Sequence, residues 1–236
     1  MKDSHNLKGV TKRKVYKEKS SILNMEIKGI NQLEGEIIRH FSLGTFPVMV
    51  LDTSGLIDLV TAMRQYNSVR RNGDRNQRYE RPALFLENLA QELPMVITPR
   101  TYREIQNHGR TRLNGHTVEL TPEVMDFALN TLIKSVEFID GLKNPVSFDD
   151  IRYDTYWAAK YGCDGNHKKI MEGCSDTDRE ILATAAHISG SNIDDKTALG
   201  PVLVTSSDAH VLKGAELLKR GFDGKYSRIM PFSTRH

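Results

Sequence analysis

Several features that define whole classes of protein are scarce in this sequence of 236 residues. It has two cysteines, Cys163 and Cys174, which are too few for a disulfide framework. No stretch approaches the roughly 18 consecutive apolar residues that a transmembrane helix needs. The opening residues lack the apolar core of a secretory signal peptide. We therefore expect a cytoplasmic protein that has no contact with a membrane.

Charge is nearly balanced over the whole chain, at a formal net +3, but its distribution is uneven. Residues 1–20 carry seven lysines and arginines against Asp3 and Glu18, which gives +5 there and leaves −2 for the remainder. A basic N-terminal arm is typical of proteins that contact a polyanion such as nucleic acid. A solvated tail is the alternative interpretation, and composition alone does not separate the two.

From residue 46 onwards, apolar runs alternate with segments of helical periodicity. "FPVMVLD" (46–52) and "PVLVT" (201–205) each predict a buried strand. Threonine followed by proline, a typical helix start, occurs at Thr98 and again at Thr121. Strands that alternate with helices predict an α/β fold of three layers, in which helices cover both faces of a mainly parallel central sheet.

Acidic residues follow both predicted strands, Asp52 directly and Asp208 after two serines. In an open parallel sheet, sites form at the carboxyl ends of the strands, so we expect these two carboxylates to lie at one edge. A single aspartate after a strand usually caps a turn or a helix. Two of them, with Glu104 in the first turns of another predicted helix, indicate a functional site.

A further acid begins the helix predicted near residue 176. At 100° per residue, Asp178 shares the apolar face with Ile181, so we expect it to point towards the sheet. Asp176 lies about 200° away on the face of Glu180, and is predicted to point outward or to line the rim. Ser175 and Asp178 also form a predicted capping box, so pure capping remains the alternative role for Asp178.

Four segments carry these acids: "VMVLDTSGLIDL" (48–59), "ITPRTYREI" (97–105), "CSDTDREILATAA" (174–186) and "PVLVTSSDAHVL" (201–212). In this order they resemble the four acidic motifs of PIN-domain ribonucleases. The resemblance covers roughly residues 47–235 and implies a PIN-like nuclease domain over 47–236. It also implies hydrolysis of RNA, with single strands as the expected substrate, to products with 5′-phosphate and 3′-hydroxyl ends.

The resemblance also implies the roles of individual residues. Four acids would be catalytic and would bind Mg²⁺ or Mn²⁺: Asp52, Glu104, Asp178 and Asp208. Four residues would support the metal, the first of them also as a candidate ligand: Asp176, Thr53, Ser54 and Ser206. Such crowded carboxylates repel one another, and a hard divalent cation relieves the repulsion.

Two features depart from compact members of that family. The distance in sequence from Glu104 to Asp178 is longer, and the helices predicted within it indicate a helical insertion near 113–172. Residues 1–46 form a basic N-terminal extension that the small toxin-like members lack. A protein inhibitor and a homodimer both remain open as partners. The predicted contacts to the RNA backbone are Arg100 and Arg103, although each is individually more often a solvated surface arginine.

Other functions are compatible with parts of the pattern. Two cysteines and two histidines offer zinc ligands, but their spacing fits no common structural zinc site: Cys163, His167, Cys174 and His187. A phosphatase of the haloacid dehalogenase type requires a second aspartate two residues after the first, where this chain has Ser54. A catalytically inactive PIN-fold scaffold that binds RNA, and a DNA structure-specific nuclease, remain the main alternatives.

Overall fold

The computed structural model of the chain describes residues 28–60, 93–107, 110–113, 116–119, 121–142, 173–191, 199–220 and 226–234. The strands are β1 (Lys28–Gly29), β2 (Phe46–Leu51), β3 (Met95–Val96), β4 (Arg110–Leu113), β5 (His116–Glu119), β6 (Leu199–Ser206) and β7 (Ile229–Ser233). The helices are α1 (Ile30–Ser42), α2 (53–60), α3 (Pro99–Asn107), α4 (Pro122–Asp140), α5 (Asp176–Gly190) and α6 (Ala209–Arg220).

Five strands form one sheet in the order β1-β7-β6-β2-β3, and every neighbouring pair is parallel. The two strands that carry the predicted acids, β2 and β6, are adjacent, with Met49 opposite Leu203 and Leu51 opposite Thr205. The remaining two strands, β4 and β5, form a separate antiparallel hairpin. The predicted α/β fold with a mainly parallel sheet is therefore confirmed.

Helices cover both faces of this sheet. Successive residues of β2 point to opposite faces, as the pleat of a strand requires. Val48 and Val50 lie in one apolar cluster with residues of α5 and α6. Met49 and Leu51 lie in a second cluster with residues of α1, α2, α3 and α4. The three-layer arrangement follows from these two clusters.

The predicted helix starts also correspond to helices. The Thr98 hydroxyl accepts a hydrogen bond from the Thr101 amide at 3.2 Å, which caps the first turn of α3. Thr121 is extended and precedes α4, although its side chain makes no capping bond. Ser175 and Asp178 form the predicted capping box at the start of α5.

The first strand and helix of the described chain lie before residue 46, where the alternating strand–helix pattern of the sequence begins. Within the predicted 1–46 extension, β1 pairs with β7 at the edge of the sheet, and Ile37 of α1 is fully buried. The basic residues 1–20 lie outside the described residues. The predicted helical insertion near 113–172 contains β5 and α4, whereas 143–172 lies outside the described residues. None of the helices that the structure describes is both long and apolar enough to cross a lipid bilayer.

Gly55, in the first turn of α2, lies directly against the backbone of β6. A Cβ atom at this position would lie 2.3 Å from the Thr205 carbonyl oxygen, and backbone cannot move aside as a flexible side chain does. We expect Gly55→Ala to destabilise the protein by about 3 kcal/mol through overpacking.

Gly35 provides the matched control for this substitution. It lies within α1, and a Cβ there would meet nothing within 4 Å. Gly35→Ala should therefore stabilise the protein by about 0.5–1 kcal/mol, because alanine loses less conformational freedom in a helix. Urea unfolding of both variants measures the effects, and a neutral Gly55→Ala would contradict the close packing of α2 on β6.

Candidate active site

The carboxyl ends of β2 and β6 form the centre of the candidate site. Because Leu51 is opposite Thr205, the next residues, Asp52 and Ser206, lie side by side. The Ser206 hydroxyl donates to Oδ2 of Asp52 at 2.7 Å, and the Ser54 hydroxyl donates to the same oxygen at 2.6 Å. Asp52 is only 5% exposed, so these hydroxyls are the polar environment of a buried carboxylate.

The same two hydroxyls also accept hydrogen bonds from the chain that follows β6. The Ser207 amide donates to Oγ of Ser54 at 2.9 Å, and the Asp208 amide donates to Oγ of Ser206 at 2.8 Å. Each serine hydroxyl thus accepts a hydrogen bond from a backbone amide while it donates one to Asp52. The network fixes the direction of the Asp52 carboxylate and joins the start of α2 to the loop that carries Asp208.

Glu104 reaches this edge from α3. The hydroxyl of Thr53, the first residue of α2, donates to Oε2 of Glu104 at 2.7 Å. Glu104 is half-buried, one turn beyond Arg100 on the same helix. The three polar residues after β2 therefore have different roles. Asp52 is the buried acid, Ser54 orients the Asp52 carboxylate, and Thr53 orients the Glu104 carboxylate.

Asp178 is the acid that interacts electrostatically with each of the other three. It is half-buried, and its Oδ2 accepts a hydrogen bond from the Ser175 amide at 2.7 Å, so it caps α5. Its carboxylate also interacts electrostatically with those of Asp208, Glu104 and Asp52. The structure thus brings all four predicted catalytic acids to one edge of the sheet, from four different elements.

Burial and repulsion together make the charged forms of two of these acids unfavourable. Burial raises the pKa of Asp52 from 3.8 to about 6, the donors Ser206 and Ser54 offset part of that rise, and the charge of Asp178 adds to it. Burial also raises the pKa of Asp178, its hydrogen bonds with Ser175 oppose that rise, and the charges of Asp208 and Glu104 increase it.

Asp208 is far more accessible than Asp52, with 48% of its side chain exposed. Its Oδ1 accepts a hydrogen bond from the His210 amide at 2.6 Å, and Nδ1 of the His210 ring lies 3.3 Å from the same oxygen. Asp208 therefore caps α6 from the position before the helix, whereas Asp178 is the third residue of α5 and completes the capping box with Ser175. No motif points to His210, although its position two residues after the last acid is visible in the sequence.

The donor set matches the chemistry of a hard divalent cation, since four carboxylates supply oxygen ligands. Among the described residues, however, no group of three His, Cys, Asp or Glu side chains is arranged so that it could hold a metal ion as it stands. Asp178 and Asp208 each direct one oxygen to an amide at the start of its own helix. Binding of a cation requires these carboxylates to use their other oxygen or to leave the caps.

Arg100 was predicted to contact the RNA backbone, but in the structure its guanidinium contacts carboxylates of the protein itself. Its Nε lies 2.8 Å from Oε2 of Glu180, and its Nη1 lies 3.2 Å from Oδ2 of Asp176. The guanidinium is therefore engaged by two carboxylates of α5. Arg103, on the same helix, is exposed.

Glu180 corrects one expectation from helical geometry. It was predicted to share an outward face with Asp176, but its side chain is only 3% exposed, whereas that of Asp176 is 69% exposed. Arg100 is the reason, because it covers Glu180 and compensates its charge. Arg100 and Glu180 are 80 positions apart, and no local pattern in the sequence reveals a contact over that separation.

The zinc alternative rests partly on residues outside the described ranges, Cys163 and His167. Within the described part of the chain, Cys174 is buried beneath the candidate site, and this burial raises the pKa of its thiol to about 12. Burial of this kind is typical of a structural cysteine, and the zinc alternative stays a prediction.

No protein-family model, curated protein or solved structure matches the chain. The contacts and charges of the site itself therefore have to support any function.

Proposed function

We propose that this chain is a metal-dependent endoribonuclease of the PIN-like type, which uses Asp52, Glu104, Asp178 and Asp208. The observation that carries the proposal is the convergence of these acids at the carboxyl edge of the sheet, around a buried Asp52 whose pKa is raised to about 6. Assembling like charges in a partly buried place is unfavourable, and a divalent cation relieves it. Perturbed carboxylates at a sheet edge are also typical of functional sites.

Each residue has a defined task in this proposal. Ser54 and Ser206 hold the Asp52 carboxylate in one orientation, and Thr53 holds that of Glu104. Asp178 and Asp208 stand at the starts of α5 and α6, where the helix dipoles favour negative charge. When bound, Mg²⁺ or Mn²⁺ supplies the Lewis-acid chemistry for hydrolysis of a phosphodiester. Arg103 lies on the exposed side of α3 and is available to bind a phosphate of single-stranded RNA.

One observation favours the second candidate, an inactive PIN-fold scaffold that binds RNA. Asp178 and Asp208 are engaged as helix caps, and within the described residues no group is arranged to hold a metal ion. In that case the acids would serve the local structure, and RNA would be bound without being cut. Cleavage in the presence of a divalent cation separates the two functions.

We expect cleavage of labelled single-stranded RNA to require Mg²⁺ or Mn²⁺ and to stop when EDTA is added. The physical reason is that the site supplies several carboxylates as possible ligands for the cation. Its hydroxyls donate hydrogen bonds to two of these carboxylates, those of Asp52 and Glu104. The assay should include DNA of the same sequence, because the same chemistry would hydrolyse a DNA strand. Undiminished cleavage in EDTA would exclude the proposed chemistry, and preferential cleavage of DNA would change the substrate class.

A further inference from the structure

The helices α3 and α5 are joined by a polar contact at their N-terminal ends. Nε of Arg100 lies 2.8 Å from Oε2 of Glu180, and the Arg100 amide donates to Oε1 of the same carboxylate at 3.4 Å. The guanidinium also reaches Asp176 at 3.2 Å. The side chain of Arg100 thus makes an ion pair with the buried Glu180 carboxylate, without hydrogen-bond alignment of Nε, and the Arg100 amide donates the hydrogen bond. We call this contact between Arg100 and Glu180 the clamp.

The clamp connects two helices whose apolar residues pack in different parts of the protein. Ile105 of α3 belongs to the cluster shared with α1 and α2, on one face of the sheet. Ile181 of α5 belongs to the cluster on the other face. The two helices share no apolar cluster, so the clamp joins them directly, in addition to the packing of each helix on its own face of the sheet.

The clamp also lies beside the candidate site. Glu104 follows Arg100 by four residues, which places the two on the same side of α3. On α5, Asp178 lies in the same first turns as Glu180 but about 200° around the helix from it, and the Asp178 carboxylate interacts with the charge of Glu104. A change in the separation of the two helices would therefore move Glu104 relative to Asp178, and would also move it away from the Thr53 hydroxyl that holds it.

We propose that Arg100 is a positioning residue, which acts through the clamp with Glu180 to fix α3 against α5 and so to fix the place of Glu104 relative to Asp178 in the candidate site. This inference rests on the proposed function, because the site is the one assigned there. It gives Arg100 a role other than contact with RNA. It also explains why a glutamate that helical geometry places beside an exposed aspartate is buried.

The informative variant removes both charges of the clamp, as Arg100→Met combined with Glu180→Gln. Removing Arg100 alone would leave an uncompensated buried carboxylate, which commonly prevents folding. The double variant keeps the net charge of the protein, so any change in its affinity for a cation cannot come from altered net charge. Arg103→Met is the matched control, since it removes one exposed arginine from the same helix and leaves the clamp intact.

The first measurement is titration of the full chain with Mn²⁺, in which electron paramagnetic resonance reports the free ion. The double variant should bind Mn²⁺ at least about tenfold more weakly than wild type. A tenfold change is modest compared with the loss of a ligand, and is typical of residues that orient ligands. Arg103→Met should bind Mn²⁺ as tightly as wild type or more tightly, because it removes a nearby positive charge. Equal affinity of the double variant and wild type would overturn the inference.

The second measurement needs no metal. In the metal-free protein, the amide resonance of Thr53 should shift in the double variant and stay in place in Arg103→Met, because the Thr53 hydroxyl donates to Glu104 and so reports its position. If wild type binds Mn²⁺, the inference requires both the weaker Mn²⁺ binding and the Thr53 shift in the double variant. Either result without the other then overturns the inference. If wild type binds no Mn²⁺ while the Thr53 resonance shifts, the proposed function fails and the positioning of Glu104 by the clamp stands.

Discussion

Replacing Asp178 with asparagine should reduce RNA cleavage by orders of magnitude and leave the protein folded. The asparagine side chain still accepts a hydrogen bond from the Ser175 amide, so the start of α5 keeps its cap. Removing one negative charge also relieves the repulsion from Asp208 and Glu104. What the variant lacks is the charge that holds a cation, so its defect should appear in cleavage and not in thermal stability.

Two neighbouring substitutions separate capping from catalysis. Ser175→Ala removes the hydroxyl that accepts from the Asp178 amide, and should cost about 1 kcal/mol of stability while cleavage persists. Asp176→Asn changes an acid that is largely exposed and paired with Arg100, and should reduce cleavage less than Asp178→Asn. Thermal midpoints and single-turnover cleavage are the measurements. Wild-type cleavage by Asp178→Asn together with an inactive Asp176→Asn would reverse the assignment of the ligand on α5.

Replacing Asp52 with asparagine should abolish cleavage and, in metal-free buffer at pH 7, make the protein more stable. The folded pKa of about 6 exceeds the ordinary value of 3.8, so the folded state binds the Asp52 proton more tightly than the unfolded chain does. Stability therefore falls as the pH rises between about 4 and 6, and the whole cost is present above that range. The shift corresponds to about 2–3 kcal/mol.

Asparagine at position 52 avoids this cost. Its amide oxygen can accept from Ser54 and Ser206 as the carboxylate does, and it carries no charge into the buried position. Urea unfolding between pH 4 and pH 7 should show the largest gain in stability at pH 7 and little difference at pH 4. A loss of stability of equal size at both pH values would show that the charge of Asp52 is not the source of the cost.

The sequence predicts well what depends on local pattern and on the geometry of parallel sheets. The apolar runs before Asp52 and Asp208 predict strands, and parallel pairing brings the ends of those strands to one edge. The 100° rotation per residue indicates the inward position of Asp178, and Ser175 with Asp178 indicates the helix start. These features depend on neighbours in sequence or on a general property of α/β sheets.

Features that depend on contacts distant in sequence are not predictable in this way. The burial of Glu180 depends on Arg100, which lies on another helix. The pairing of β1 with β7 joins the two ends of the described chain, and two residues are too few to give a strand pattern. The short β4–β5 hairpin leaves no alternation long enough to read. The cap that Asp208 forms on α6 is the usual role of an aspartate after a strand, but the contact of the His210 ring with the same oxygen depends on a rotamer that no sequence pattern specifies.

The most direct test of the proposed function is diffraction from a crystal soaked with Mn²⁺, recorded for the anomalous signal of manganese. The proposal predicts a strong peak bounded by Asp52, Glu104, Asp178 and Asp208, with the Asp178 or Asp208 carboxylate turned from its helix cap towards the ion. A fully soaked crystal without a peak among these four carboxylates would contradict the assignment of a metal-dependent active site to this edge of the sheet.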